Sequence, residues 1–204
     1  GKFDPSIQPL WSAYARASGV PNRKALAAAR AAMGWNKVEI SQQSIRLQPG
    51  AGLTFNGIAQ GFITDRVVAL LKARGLEAGL VCVGEIAAVG APPAGGGWAV
   101  GLADHEDGPA DAIIHLRDSA VATSSPLGTM FGAGSVGHIL DPETGMAASA
   151  NWRRVSVIHR SAATADGLST AGVLQGAADL QAMLRSFPDA SVRAIDTNGK
   201  MLVI

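Results

Sequence analysis

Strand-type and helix-type periodicities follow one another along this chain without strict alternation, and that irregular order constrains the fold more than any other feature. A repeated strand–helix–strand pattern would demand a parallel sheet. Here three short apolar segments, Trp98–Leu102, Ala112–Leu116 and 120–123, read as strands with no helix between them. Near the end, 192–195 and 201–204 flank Asn198-Gly199, a hairpin signal that makes those two strands antiparallel. The expectation is an α+β fold, with a mixed, largely antiparallel sheet and helices packed on its faces.

The remaining elements follow from local signals. Pro21-Asn22 opens an alanine-rich helix over 23–33, with Gly34 placed as a C-terminal cap. Val38–Ile40 and Ile45–Leu47, around a polar turn, read as a hairpin. Ile58, Phe62, Val67, Leu70 and Leu71 keep helical spacing over 57–74, and Gly75 ends that helix. Short strands are expected over 80–83 and Ile86–Val89, then a Pro/Gly loop over 91–97. A strand over 155–159 and helices over 165–174 and 177–187 complete the pattern, the last closed by Pro188.

Bulk properties exclude several function classes. With 204 residues, 48% hydrophobic and 16% charged, the chain suits one globular domain over 1–204, or two small lobes sharing a core. A net charge of +1, with no basic run beyond Arg153-Arg154, argues against nucleic acid. No apolar run is long enough to span a bilayer. Cys82 is the only cysteine, so no internal disulfide forms, and it reads as a small buried hydrophobe. Gly1-Lys2-Phe3-Asp4-Pro5 has neither an initiator methionine nor a signal peptide, as if a leader were removed or a longer protein cut there.

Three segments carry candidate chemistry. Leu53-Thr54-Phe55-Asn56-Gly57-Ile58-Ala59-Gln60-Gly61 follows a Pro49-Gly50-Ala51-Gly52 loop and opens a helix. It can hold an anion on free N–H groups, or its glycines can simply let the helix pack closely on a strand. Gly137-His138-Ile139-Leu140-Asp141-Pro142-Glu143-Thr144-Gly145 is a turn preceded by a histidine that either donates to a ligand or serves structure. In Thr164-Ala165-Asp166-Gly167-Leu168-Ser169-Thr170, Asp166 and Thr170 lie on one helical face with Ser169 beside them. These are hard oxygen donors of the kind magnesium takes; equally, Thr164 can be an N-cap and Asp166 a dipole partner. No Gly-x-x-x-x-Gly-Lys-Ser/Thr loop is present, and Gly167-Leu168-Ser169-Thr170-Ala171 lacks the last glycine of a nucleophile elbow. His105, His115 and His159 have no partner at metal-ligand spacing and read as surface or strand histidines.

In order and spacing, these segments resemble one family. Phe3-Asp4-Pro5-Ser6-Ile7-Gln8-Pro9-Leu10 resembles the F-D-P-T-V-G-P-L of ApbE flavin transferases, and Gly57 to Gly61 their D-L-G-G-I-A-K-G. Val83-Gly84-Glu85-Ile86 resembles G-G-D-I, and Val121-Ala122-Thr123-Ser124 resembles A-T-S-G. His138 to Gly145 matches H-I-x-D-P-x-T-G, and Ala165 to Thr170 matches A-D-A-x-x-T. The chain departs from the family at Thr54, where an acidic residue is usual, and at Gln60, where lysine or glutamate is common. It also lacks a glycine beside Gly84 and the portion that precedes the F-D-P segment.

The resemblance implies magnesium-dependent transfer of FMN from FAD to a threonine or serine of a target protein, with release of AMP. It implies magnesium held by Asp166, Thr170, Ser169 and the Gly57 carbonyl. It implies FAD contacts from Lys2, Phe3, Asp4, Thr54, Gln60, Glu85, His138, Leu140 and Asp141, with Asp166 and His138 as the catalytic groups. The target implied is a subunit of a membrane redox complex, and the location the periplasm or cell envelope, with a membrane anchor only in a segment ahead of Gly1. The departures at Thr54 and Gln60 each remove a charged cofactor contact, which leaves an FAD-binding member without transfer activity as the alternative. A serine hydrolase using Ser169 and His138 is a third reading.

Overall fold

The computed structural model describes residues 1–104, 108–134, 136–149 and 151–204. They form two compact units, each with its own core: unit 1 is Gly1–Phe55 with Pro126–Ser149, and unit 2 is Asn56–Ser125 with Ala150–Ile204.

Unit 1 opens with a 3-10 turn, Pro5–Ile7, that runs into α1 (Gln8–Arg16). The sequence pattern did not reveal α1, because only Leu10 and Tyr14 face fully inward from it. The alanine-rich helix α2 (Arg23–Ala32) forms as expected, with the Asn22 side chain accepting from Ala25 N at 2.9 Å. Gly34 leaves the helix with φ +129° and donates its N–H to Ser6 Oγ at 2.9 Å. β1 (Val38–Ile40) and β2 (Ile45–Leu47) pair as the expected hairpin. Leu10, Tyr14, Ala29 and Met33 pack with Phe131 and Leu140, so the second segment completes the core of the first. Phe131 meets Trp11 edge-on at 5.3 Å and stacks on Tyr14 at 5.6 Å, geometry that adds to simple burial.

Unit 2 is built from α3 (Ala59–Ala73), β3 (Gly79–Cys82), β4 (Ile86–Val89), β5 (Trp98–Leu102), β6 (Ala112–Leu116), β7 (Ala120–Ser124), β8 (Trp152–His159), α4 (Ala162–Val173), α5 (Ala177–Leu184), β9 (Ser191–Asp196) and β10 (Met201–Val203). Six strands form one sheet in the order β10-β9-β8-β7-β4-β3, every pair antiparallel. β5 and β6 form a separate hairpin on one face, where Val100, Leu102, Ile114 and Leu116 bury against Ala88 and Val121. On the other face Ala87 and Ala120 meet Val68 of α3 and Ala162 of α4. The alternation 87/88 and 120/121 between the two faces is the period of two that a strand imposes. The α+β expectation holds.

Several local expectations need correction. The helix expected from residue 57 starts at Ala59, with 56–58 forming a turn. Its face toward the core is Gly61 and Thr64, while Phe62, Leu70 and Leu71 are exposed. Gly61 packs against α4 rather than on a strand. α4 begins three residues early: Ser161, not Thr164, is its N-cap. Cys82 is exposed rather than buried, because β3 is an edge strand. Arg153 and Arg154 are no free basic patch; both pair with Asp104 and Asp111, next to β5 and β6, and Arg154 is fully buried. The Asn198-Gly199 turn forms as expected, with Gly199 at φ +81° and Asp196 Oδ1 accepting from Asn198 N and Lys200 N. His115 is exposed on β6 and His159 lies on β8, while His105 falls outside the described residues. Among the described residues no helix is long and apolar enough to cross a membrane.

Candidate functional site

In unit 2, α4 gathers the expected oxygen donors. Asp166 is 5% exposed and Thr170, one turn on, is half-buried. Asp166 Oδ2 accepts the N–H of Gly61 at 3.0 Å. Gly61 lies in the first turn of α3, where N–H groups have no partner within the helix, and α3 has no side-chain cap of its own. The carboxylate of α4 therefore caps α3. Burial raises the Asp166 pKa above the ordinary carboxylate range, and the Gly61 bond only partly offsets this.

The hydroxyls converge beside Asp166. Ser169 is fully buried; it donates to the Asp166 carbonyl at 3.0 Å and lies 2.8 Å from Ser124 Oγ. Ser124, at the end of β7, is also 3.4 Å from Thr170 Oγ1. A hydroxyl carries one proton, so Ser169 accepts from Ser124. Ser124 was a candidate missed from the sequence: its segment was noticed, but nothing in the pattern shows that β7 ends beside α4. The full burial and double bonding of Ser169 exclude it as the exposed nucleophile of a hydrolase. Among the described residues no cluster of three or more His, Cys, Asp or Glu side chains forms. One carboxylate with hydroxyls fits a hard cation that keeps waters or phosphate oxygens, rather than zinc.

Glu85 occupies the β3–β4 turn, where Gly84 at φ +107° passes so close to Gln60 that a Cβ there would lie 2.9 Å from Gln60 Cβ. The turn thus packs against the Gln60 side chain at Gly84. Burial, and secondarily the Asp166 charge, push the Glu85 pKa from the ordinary 4.5 up to about 8, opposed by a bond from the Thr123 backbone. A carboxyl whose folded pKa is raised gives stability that is present below the unfolded value and lost as pH rises through the folded one. The metal-free protein is therefore expected to melt at a higher temperature at pH 5.5 than at pH 8.5. Glu85→Gln should flatten that dependence. An unchanged pH profile in Glu85→Gln would remove Glu85 as its source; calorimetry over this range decides.

In unit 1 the other predicted residues surround one rigid turn. Asp141 Oδ1 accepts from Glu143 N at 2.8 Å, and Gly145, at φ +73°, returns its N–H to the Asp141 carbonyl at 2.7 Å. Arg30 of α2 holds the carbonyls of Glu143 and Thr144, and Tyr14 Oη donates to the Gly145 carbonyl. Lys2 bridges Asp141 at 2.9 Å and Glu143 at 2.8 Å, and these partners raise its pKa. Burial alone would raise that of Asp141, but the bonds from Lys2 and from the turn's backbone together hold it below the ordinary range. Its charge is thus spent on the turn. Asp4 likewise serves local structure, accepting from Ser6 N and Ser6 Oγ. The Leu140 side chain lies in the core, so only its backbone can face a ligand. Phe3 is half-buried, and so is Thr54, whose N–H donates to the Pro5 carbonyl at 2.8 Å.

His138 is half-buried, and its Nδ1 lies 2.9 Å from the Thr129 carbonyl, which can only accept. Nδ1 therefore carries a proton, and in the neutral ring Nε2 is an acceptor. Burial lowers the pKa, with the Thr129 bond opposing. In that state Nε2 can accept a hydrogen bond from a ligand, while Nδ1 serves local structure.

Comparison with known proteins decides the family. The ApbE family model matches residues 1–194. The chain belongs to the ApbE family. An FAD:protein FMN transferase of Treponema pallidum is 31% identical over 92% of this chain and 59% of its own length. One from Chlamydia trachomatis is 30% identical over 84% of the chain and 56% of its own length. The ApbE chain thus spans somewhat over half the length of these relatives. Among solved structures, the ApbE protein of Thermotoga maritima superposes over 100% of this chain and 70% of its own, with TM-score 0.86 and 27% identity. The flavinyl transferase ApbE of Pseudomonas stutzeri, in apo form, covers 100% and 66%, with TM-score 0.82 and 28% identity.

Proposed function

We propose that this protein transfers FMN from FAD to a hydroxyl of a target protein, a threonine or serine, with magnesium as cofactor. The observation that carries the reading is the set of hard oxygens on α4 and β7, Asp166, Ser169, Thr170 and Ser124, in a family whose relatives bear the name FAD:protein FMN transferase. In the reaction the target oxygen forms a bond to the FMN-side phosphorus, the bond to the AMP phosphate breaks, and AMP leaves with the pyrophosphate bridging oxygen. A bound magnesium would neutralise charge on the phosphates. Asp166 and Thr170 would hold it, with the Gly57 carbonyl and Ser169 alongside.

The chain's own groups account for the rest. Asp166 is oriented by the Gly61 N–H, so its position is set before any ligand arrives. The attacking hydroxyl gives up a proton, and Asp166 is the carboxylate on the helix that carries the donor hydroxyls Ser169 and Thr170. We assign the acceptor role to Asp166. By similarity to the family, the candidate flavin-nucleotide contacts are Gln60, Glu85, Lys2, Phe3, Asp4, Thr54, His138, Leu140 and Asp141, with Asp4 and Asp141 already engaged in local hydrogen bonds. The target we propose is a subunit of a membrane redox complex, and the location the periplasm or cell envelope.

Mixing the protein with FAD, magnesium and a flavin-accepting target should release AMP and leave flavin on the target. FAD binding without AMP release would favour the binding-only alternative, to which Thr54 and Gln60 lend weight. His138→Ala should weaken FAD binding and lower the melting temperature of the free protein only slightly, since the lost Thr129 bond is worth about 1 kcal/mol. A large loss of stability with FAD affinity unchanged, measured on the same variant, would make His138 purely structural.

A further inference from the structure

We infer that Asp65, on α3, is the residue that positions Asp166 and Thr170 for metal binding, an inference that rests on the proposed metal role of α4. Its carboxylate takes three bonds from the start of α4. Oδ2 accepts from Ser161 Oγ at 2.7 Å and from Ala163 N at 3.1 Å, and Oδ1 accepts from Ala162 N at 2.8 Å. These are first-turn N–H groups and the N-cap hydroxyl, so a negative charge there is favoured by both hydrogen bonding and the helix dipole. Asp166 returns the bond, taking the first-turn N–H of α3 at Gly61.

The two helices therefore cap each other. The Asp65 and Asp166 carboxylates are the two halves of one exchange, and Gly61 makes it possible. A Cβ at Gly61 would stand 2.3 Å from the Ala162 carbonyl oxygen and 2.7 Å from Ala163 Cα, so the backbones touch where the caps cross. Four bonds and a backbone contact fix the start of α4 against α3, both along its axis and in rotation. Thr170 and Asp166 are one turn apart on α4, so any shift of its start moves both donors together. Asp65 lies one turn past Gly61 on α3, outside the three segments read for ligand chemistry, and a lone aspartate in a helix gives no sequence signal of this role.

Groups that orient metal ligands typically change affinity tenfold to a hundredfold when altered. The test is Mn2+ binding, followed by the paramagnetic resonance of free Mn2+, on the whole chain below its melting transition. Asp65→Asn keeps the side-chain shape but loses the charge and an acceptor; it should weaken Mn2+ binding about tenfold or more. Ser161→Ala removes the N-cap hydroxyl but keeps both backbone bonds to Asp65; it should lower the melting temperature and weaken Mn2+ binding less than Asp65→Asn does. Equal Mn2+ affinity in Asp65→Asn and wild type, with binding lost in Asp166→Ala, overturns the positioning role while the metal reading stands. If Asp65→Asn does not fold, Asp65→Glu decides: it keeps the charge but adds a methylene, and wild-type affinity there would make Asp65 only a helix cap. A wild type that binds no Mn2+, or an Asp166→Ala that binds it normally, removes the metal reading and the inference together.

Discussion

Asp166→Ala is expected to lower magnesium-dependent AMP release by at least roughly a hundredfold, because a catalytic metal supplies several kcal/mol of transition-state stabilisation. The substitution removes the one carboxylate on the helix face that also presents Thr170. It also leaves the Gly61 N–H without its acceptor. Asp166→Asn separates these two losses. The amide oxygen can still accept from Gly61, while the charge is gone. Ionisation of Asp166 is disfavoured by its burial, so the neutral amide should cost the free protein little stability. Activity in Asp166→Asn should therefore fall nearly as far as in Asp166→Ala, with a higher melting temperature. Thr170→Ala should do less harm, since water can replace a hydroxyl ligand. Full magnesium-dependent AMP release by Asp166→Ala would end the assignment.

Gly61→Ala should destabilise the protein by about 2 kcal/mol or more, a drop of roughly 4–8 °C in melting temperature for a chain of this size. The direction is informative because the same exchange inside an ordinary helix stabilises it by about 1 kcal/mol. Here the added methyl meets the backbone of Ala162 and Ala163, which cannot rotate out of the way as a side chain can. α3 and α4 must separate, and the Gly61–Asp166 bond lengthens with them. Metal affinity should fall in parallel with stability. A variant that melted at or above the wild-type temperature would show that the helices do not approach so closely.

The strands were legible as short apolar runs bounded by turn residues, though the runs do not say which residue faces which way. Ala87/Ala88 and Ala120/Val121 each divide cleanly between helix face and hairpin face. The Asn198-Gly199 turn was legible because only a few residue types accept its backbone angles. What failed were edges and exposures. The apolar spacing of Phe62, Leu70 and Leu71 predicts a core face, yet the core takes Gly61 and Thr64 because a close helix crossing selects small residues. Asp166 and Thr170 were found from local spacing alone. Ser124 and Asp65 could not be, since their meaning comes from partners 45 and 96 residues away in sequence. The tautomer of His138 depends on the Thr129 carbonyl, nine residues back, and no motif encodes it.

Pro126–Ser149 leaves the chain at the end of β7 and rejoins it just before β8, and those two strands pair along their length. An excursion whose ends are held side by side by an existing ladder can change length at small entropic cost, since closure grows only with the logarithm of loop size. The turn with His138 and Asp141 rides on that excursion, while Asp166, Thr170 and Ser124 belong to the sheet and helix that hold its ends. Insertion, deletion or drift in the excursion leaves the register of β7 and β8 untouched. Change within 126–149 and change in the packing of α4 against the sheet are thus separable in the energetics of the chain.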